Sequence, residues 1–322
     1  MRAIIHSRYG TADVLELKDV PRPAVKDGEV LVRVRASSVN FGDMAVLTGV
    51  PYLGRLAFGP VRPRHAVLGK DFAGTVEQVG RGVTRLRVGD EVYGEAVAGA
   101  FAEWVAVPEA AVTAKPANLT FEQAAAAPIA ASTALLCLTR GVQVRPGDKV
   151  LINGASGGVG TFTVQIAKAF GAEVTGVCST RNAELVRSIG ADHVVDYTKE
   201  DFVRTGRRYD LILDLVGNRS LSDCRRALTP TGTLVLSSGN GNRVVGPIGR
   251  LLRARLIFPF VRQSLSAPIA SVSRDRLDAL RELIEAGKVT PAIDRTYPLS
   301  EVPSAMRYFM EEHARAKVVI TV

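Results

Sequence analysis

The stretch VLINGASGGVG, Val150 to Gly160, runs from an apolar strand into a glycine-rich turn and on into a helix. Ala155, Gly157 and Gly160 occupy the three glycine positions of a G-x-G-x-x-G fingerprint, with Ser156, Gly158 and Val159 between them. The middle glycine lets backbone approach a pyrophosphate, and the last lets the helix pack closely on the strand. The helix, beginning near Val159, points its free N–H groups at that phosphate. Alanine replaces the first glycine, and a lone fingerprint is a weak signal. Its setting strengthens it, because a strand precedes it, a helix follows it and a βαβ series opens from it.

Downstream of the turn, strands and helices alternate: KVLIN, EVTGVCS, NAELVRSIG, HVVDY, YDLILDLVG, SLSDCRRAL, GTLVLSSG, and the helix Asp275 to Gly287. Such alternation reads as right-handed βαβ units on a parallel sheet. Upstream, from Met1 to about Asn118, short period-two runs bounded by Gly, Pro and Asp predict a compact, largely antiparallel β domain. A helical segment opening at Thr120 with Glu122 in its first turn marks the boundary. The expected division is 1–120, 121–290 and a final segment 291–322. The closing strand RAKVVITV either extends the second domain or returns to pair with the first.

The 322 residues suffice for about two domains. A composition 47% hydrophobic and 23% charged is that of an ordinary globular protein. Its apolar runs fall short of the roughly 20 residues that cross a bilayer, so no membrane partner is expected. The opening MRAIIHSRYG lacks the apolar run and cleavage site of a secretory signal, so a cytoplasmic location is expected. Cys137, Cys178 and Cys224 are far apart and form no C-x-x-C pair, which suggests reduced core thiols. The net charge of +9 comes from dispersed basic residues. Aromatics at 6%, with no basic aromatic stripe, argue against a single-stranded nucleic-acid partner. A positive field suits an anionic cofactor instead.

NAD-binding folds of this kind end their second strand with a carboxylate for the ribose hydroxyls. Here that point reads Cys178, Ser179, Thr180, Arg181. Hydroxyls and a guanidinium suit a 2′-phosphate, so NADPH is the expected cofactor. Alternatively, Ser179 and Thr180 cap the following helix.

The run GDKVLINGASGGVGTFTVQIAK, Gly147 to Lys168, resembles the signature of the zinc-free quinone oxidoreductases, the zeta-crystallin-like branch of the medium-chain dehydrogenase/reductase superfamily. The resemblance extends to VLVRVRASSVNFGD, LGKDFAGTVEQVG, GADHVVDY and KVVITV, nearly the whole chain. It implies a GroES-like β-rich catalytic domain completed by the last strand, a Rossmann domain with a doubly wound parallel sheet, and a homodimer. Zinc-dependent members carry Cys and His-Glu ligands where this chain has Asn40 and Lys70-Asp71, and they carry a cysteine lobe missing here. Amide and ammonium groups are not zinc ligands, and His6, His65, His193 and His313 show no ligand spacing, so no metal is expected.

Without a Lewis acid, hydride transfer that builds an alkoxide on a simple carbonyl loses its main stabiliser. A quinone or enone spreads the charge, and a few hydrogen-bond donors then suffice. The expected activity is NADPH-dependent reduction of quinones or α,β-unsaturated carbonyls, the substrate a small hydrophobic electrophile. Enoyl-thioester reduction on the same scaffold is the alternative. The resemblance sets Asn40 near nicotinamide and substrate oxygen. Lys70 and Tyr52 are candidate donors to that oxygen; each has a plainer reading, Lys70 as an ion pair with Asp71, Tyr52 as a packing ring and Asn40 as a turn stabiliser. Further cofactor contacts implied are Thr133, Tyr197, Ser238, Gly239 and Lys317. The segment Val244 to Ile269 resembles the variable roof of the substrate pocket, or is an amphipathic stretch facing a second copy.

Overall fold

The computed structural model describes residues 1–237, 241–268, 273–312 and 314–322. It divides into two compact units, one of Met1–Ser132, Ser271–Gly287 and Pro291–Val322, the other of Thr133–Ala270 and Lys288–Thr290.

The second unit is built on a six-stranded sheet. In space its strands run His193–Asp196, Glu173–Cys178, Lys149–Asn153, Tyr209–Asp214, Leu228–Leu236, Ser264–Ser266. Every pairing is parallel. Numbered along the chain, this order is 3-2-1-4-5-6, the doubly wound dinucleotide-binding arrangement. The central strands are almost continuously buried, as strands covered on both faces must be. Leu151, Val177, Ile212, Leu234 and Phe258 belong to one apolar cluster. The order reverses between Lys149–Asn153 and Tyr209–Asp214, so strand ends part there and open a crevice for ligand.

In the first unit the hub is the strand Glu29–Ser38. It pairs antiparallel with Asp71–Val79, Trp104–Pro108 and Lys317–Thr321. Asp71–Val79 continues to Glu91–Glu95 and Val112–Ala114, while Lys317–Thr321 pairs in parallel with Ile293–Pro298. The closing strand therefore returns to the first unit. Alternating Val30, Val32 and Val34 pack with Phe72, Val92, Val105 and Val107, the period-two pattern expected of a half-covered sheet.

Two boundaries differ from the sequence expectation. The helix Pro128–Thr139 spans the junction, which falls at Ser132/Thr133 rather than at 120. The helix Arg274–Glu285 belongs to the first unit. Its Leu277, Leu280 and Ile284 are buried. Tyr93 Oη donates to Leu277 O at 2.7 Å, and Asn118 Nδ2 donates to Ile284 O at 2.8 Å. Helical periodicity tells which face is buried, not which sheet buries it.

Candidate nucleotide and substrate sites

The nucleotide turn works through four glycines, two of them outside the fingerprint. Gly154 has φ +94°, the left-handed bend that starts the turn one residue early. Ala155 is accommodated because Gly176 on the next strand lacks a side chain: a Cβ there would lie 2.9 Å from that of Ala155. A Cβ on Gly160 would stand 2.1 Å from Gly154 O, whereas one on Gly157 would meet only Gly154 O, at 3.5 Å. The backbone at Gly157 is thus open to a ligand. The helix Gly158–Ala169 begins there, and the N–H groups of Gly158, Val159 and Gly160 have no backbone acceptor among the described residues. An open glycine beside unsatisfied helix N–H groups fits a pyrophosphate.

Around the turn lie groups the sequence did not announce. Asn182, 6% exposed, donates from Nδ2 to Ser156 Oγ at 3.1 Å and Ser179 Oγ at 3.4 Å, while its Oδ1 is buried without a partner among the described residues. Asn153 Nδ2 donates to Asp214 Oδ1 at 2.9 Å across the reversal point, and Arg250 pairs with Asp214 at 2.7 Å.

At the end of the strand Glu173–Cys178, Ser179 precedes a short turn carrying Thr180 and the exposed Arg181. That strand end holds no carboxylate, but the neighbouring one supplies it. Asp196 pairs with Cys178 in register, and Thr180 Oγ1 donates to Asp196 Oδ2 at 2.5 Å. Hydrogen bonds from Thr180 and Thr198 hold the Asp196 carboxyl down to about 2. The expectation that Thr180 offers its hydroxyl proton to a 2′-phosphate is therefore corrected: that proton is committed to an anion. Tyr197 follows, 53% exposed, its N–H donating to Cys178 O at 3.0 Å. Thr133 is half-buried on its helix. Ser238 and Gly239 lie outside the described residues.

In the first unit a buried polar cluster surrounds Asn40. The ammonium of Lys317, 2% exposed, donates to Asn40 Oδ1 at 2.6 Å and Val39 O at 3.1 Å, with Asp71 Oδ2 at 3.4 Å. Asn40 Nδ2 donates to Asp71 Oδ2 at 2.9 Å and Ser38 O at 3.3 Å. Asp71 also accepts from Ser38 Oγ at 2.9 Å and from the Ile129 N–H at 3.0 Å. Both amide protons of Asn40 and all three ammonium protons of Lys317 are thus spent inside the protein. Lys317 has none left for a nicotinamide, so the direct contact expected of it becomes support for Asn40. The Asn40 side chain also faces the Asp43 N–H in a capping box at the start of the helix Phe41–Thr48.

Burial pushes Asp43, which accepts the Asn40 N–H at 2.8 Å, up to about 7, and does the same to Glu95. Burial lowers Lys317 from the usual lysine range. The ion pair suggested for Lys70 and Asp71 is not formed; Asp71 pairs with Lys317 instead. Lys70 is half-buried, and its ammonium has no hydrogen-bond partner among the described residues. The Tyr52 ring, 44% exposed, lies under the Arg55 guanidinium at 4.9 Å.

Residues 26–117 match the alcohol dehydrogenase GroES-like domain and residues 189–320 match the zinc-binding dehydrogenase family. The chain is 34% identical to the NADPH-dependent alkenal/one oxidoreductase, chloroplastic, of Arabidopsis thaliana, over 99% of this chain and 79% of that one. It is 35% identical to the 2-methylene-furan-3-one reductase of Solanum lycopersicum, again over 99% and 79%. The quinone oxidoreductase structure from Coxiella burnetii superposes with a TM-score of 0.86 at 29% identity, covering 100% of this chain and 99% of that one. The chain belongs to the medium-chain dehydrogenase/reductase superfamily, in its branch of quinone and alkenal oxidoreductases.

The zinc of that superfamily does not fit the residues present. The ammonium of Lys317 already sits as a cation between Asn40 and Asp71, and neither ammonium nor amide nitrogen is a zinc donor.

Proposed function

We propose that this chain is a metal-independent, NADPH-dependent reductase of quinones and α,β-unsaturated carbonyls. The observation that carries the reading is the buried Lys317 ammonium bridging Asn40 and Asp71, a fixed cation among residues that match the superfamily's metal ligands. Bound dinucleotide supplies the hydride. The open backbone at Gly157 and the helix N–H groups hold its pyrophosphate.

Asn40, its amide protons given to Asp71 and Ser38, lines the site near nicotinamide and substrate oxygen as a fixed wall rather than as a donor. Lys70, its ammonium without a hydrogen-bond partner among the described residues, is the better donor to the developing oxyanion, and Tyr52 supplies a second, exposed phenol. Two such donors stabilise charge already spread over a conjugated system; they do not replace a Lewis acid on a saturated carbonyl.

NADPH is favoured by Arg181 and the Ser179 hydroxyl, while Asp196 opposes a 2′-phosphate and moderates the preference. The test is NADPH oxidation against quinones, alkenals, enones, enoyl thioesters and saturated aldehydes, before and after treatment with a strong chelator. The reading requires turnover of the conjugated acceptors that survives chelation. Activity abolished by chelation and restored by zinc would overturn it.

A further inference from the structure

The chain that leaves the Asn40 cluster is cationic and unpaired. Between Asp43 and Asp71 it holds Arg55, Arg62, Arg64 and Lys70 and no Asp or Glu. None of the three arginines has an ion-pair partner among the described residues. Arg55 is held in place. Its Nε donates to Gly49 O at 3.0 Å, and its guanidinium lies over the Tyr9 ring at 4.5 Å and the Tyr52 ring at 4.9 Å. Gly49, left-handed at φ +63°, makes that approach possible: a Cβ there would stand 2.6 Å from Arg55 Nε and 2.7 Å from Tyr9 Cδ1. The remaining N–H groups, on the two terminal nitrogens of Arg55, have no hydrogen-bond partner among the described residues. Arg64 stands close by. Burial pushes the Tyr9 phenol up against the pull of Arg55 and Arg64, so both guanidiniums act on that hydroxyl. A planar guanidinium fixed by stacking and by one hydrogen bond, with its other edge free, is built to grip a carboxylate or a phosphate.

We propose that Arg55, with Arg64 beside it, binds an anionic group at the far end of the substrate, so that the acceptor is an amphiphile with a conjugated carbonyl at one end and an anion at the other. This rests on the reading of the chain as a reductase of conjugated carbonyls and extends the small hydrophobic electrophile expected of it. The spacing sets the length. The helix Phe41–Thr48 begins at Asn40, and its eight residues, at a rise of 1.5 Å each, place the end where Gly49 O meets Arg55 about 12 Å from Asn40. An extended hydrocarbon chain crosses that gap with about ten carbons. Apolar surface is available to such a chain: Phe41, next to Asn40, is 58% exposed, and Leu53 and Leu56, on either side of Arg55 in sequence, are exposed as well. The dinucleotide's own phosphates are assigned to the Gly157 turn, which leaves the fork for substrate.

The test compares kcat/KM, on the full chain with NADPH, for 2-alkenals of about ten carbons that end in a methyl group, a carboxylate, its methyl ester or a phosphate. A charged form is expected to lead the ester about tenfold, the value of one hydrogen-bonded charge, and whichever of the two leads names the anion. Arg55→Gln and, separately, Arg64→Gln should bring that ratio towards one. A ratio taken within one preparation is insensitive to partial loss of fold, and Arg64 takes no part in the Gly49 contact. Arg55→Lys keeps the charge but loses the fork and should restore the ratio only in part. Added salt should narrow it, as for any exposed charge pair. Equal kcat/KM for charged and ester forms overturns the proposal. So does a ratio that neither variant changes, which assigns the preference to the general positive charge. No turnover of any of the four, the uncharged alkenal included, overturns the reductase reading itself and the proposal with it.

Discussion

On the proposed reading, cofactor choice rests on three side chains at the ends of two neighbouring strands. Arg181 would attract a 2′-phosphate and Asp196 would repel it, while Thr180 gives its proton to Asp196. Hydrogen bonds to charged groups are worth about 1.5–3 kcal/mol, so Arg181→Ala should lower the NADPH-to-NADH affinity ratio about tenfold or more. Asp196→Asn should raise that ratio. Fluorescence titration of both cofactors on both variants checks the pair, and a ratio unmoved by either would remove these residues from specificity. In the first unit, Lys317 lies 3.4 Å from Asp71 with both side chains buried. Lys317→Met leaves Asp71 uncompensated and should cost about 3–5 kcal/mol in urea unfolding. At this scale the sequence was partly legible. Asn40 and Thr180 stood in recognisable strings, but the partners that redefine them, Lys317 and Asp196, lie 277 residues away in one case and on an adjacent strand in the other. No local pattern reports such contacts.

Among the elements, the strand, turn and helix from Lys149–Asn153 to Gly158–Ala169 were legible because the constraint is local: Gly154 is left-handed and Gly160 leaves no room for a Cβ. The glycines of the turn nevertheless do different work, and substitution separates them. Gly160→Ala sets a Cβ 2.1 Å from Gly154 O, a backbone clash that must move helix or strand, so a clear loss of melting temperature is expected. Gly157→Ala meets nothing closer than 3.5 Å and should fold normally while weakening dinucleotide binding, because its methyl fills the cradle. Thermal unfolding with and without NADPH distinguishes them: the Gly157 variant should keep the apo transition and lose the cofactor-induced rise. The helix Arg274–Glu285 shows the limit of local reading. Its amphipathic pattern was plain, but its assignment to the first unit rests on Tyr93, Thr113 and Asn118, all distant in sequence.

At the scale of the molecule, a buried polar cluster makes stability depend on pH. Asp43 is raised from 3.8 to about 7 by burial. Between those values the folded state binds more protons than the unfolded one, so this group's contribution is present at low pH and declines as pH rises towards about 7. Asp43→Asn keeps an acceptor for the Asn40 N–H and removes the titration. Its stability relative to wild type should therefore climb from about pH 4 to 7, by up to about 1.4 kcal/mol per pH unit, and level off above. Denaturant midpoints across that range check it, a flat difference being the contrary result. The two-domain plan and the returning final strand were legible because hydrophobic period switches between the halves and the family pattern runs nearly end to end. The chemistry of the cluster was not, since it depends on which side chains burial brings together. The central claim, reduction of conjugated acceptors without a metal, is tested most directly by kcat/KM for NADPH-dependent turnover of an α,β-unsaturated aldehyde and its saturated counterpart, on protein shown by metal analysis to be zinc-free. Loss of one strong oxyanion stabiliser is worth about 10²–10³ in rate, so the unsaturated aldehyde should lead by at least about a hundredfold; comparable values for the two would contradict the account.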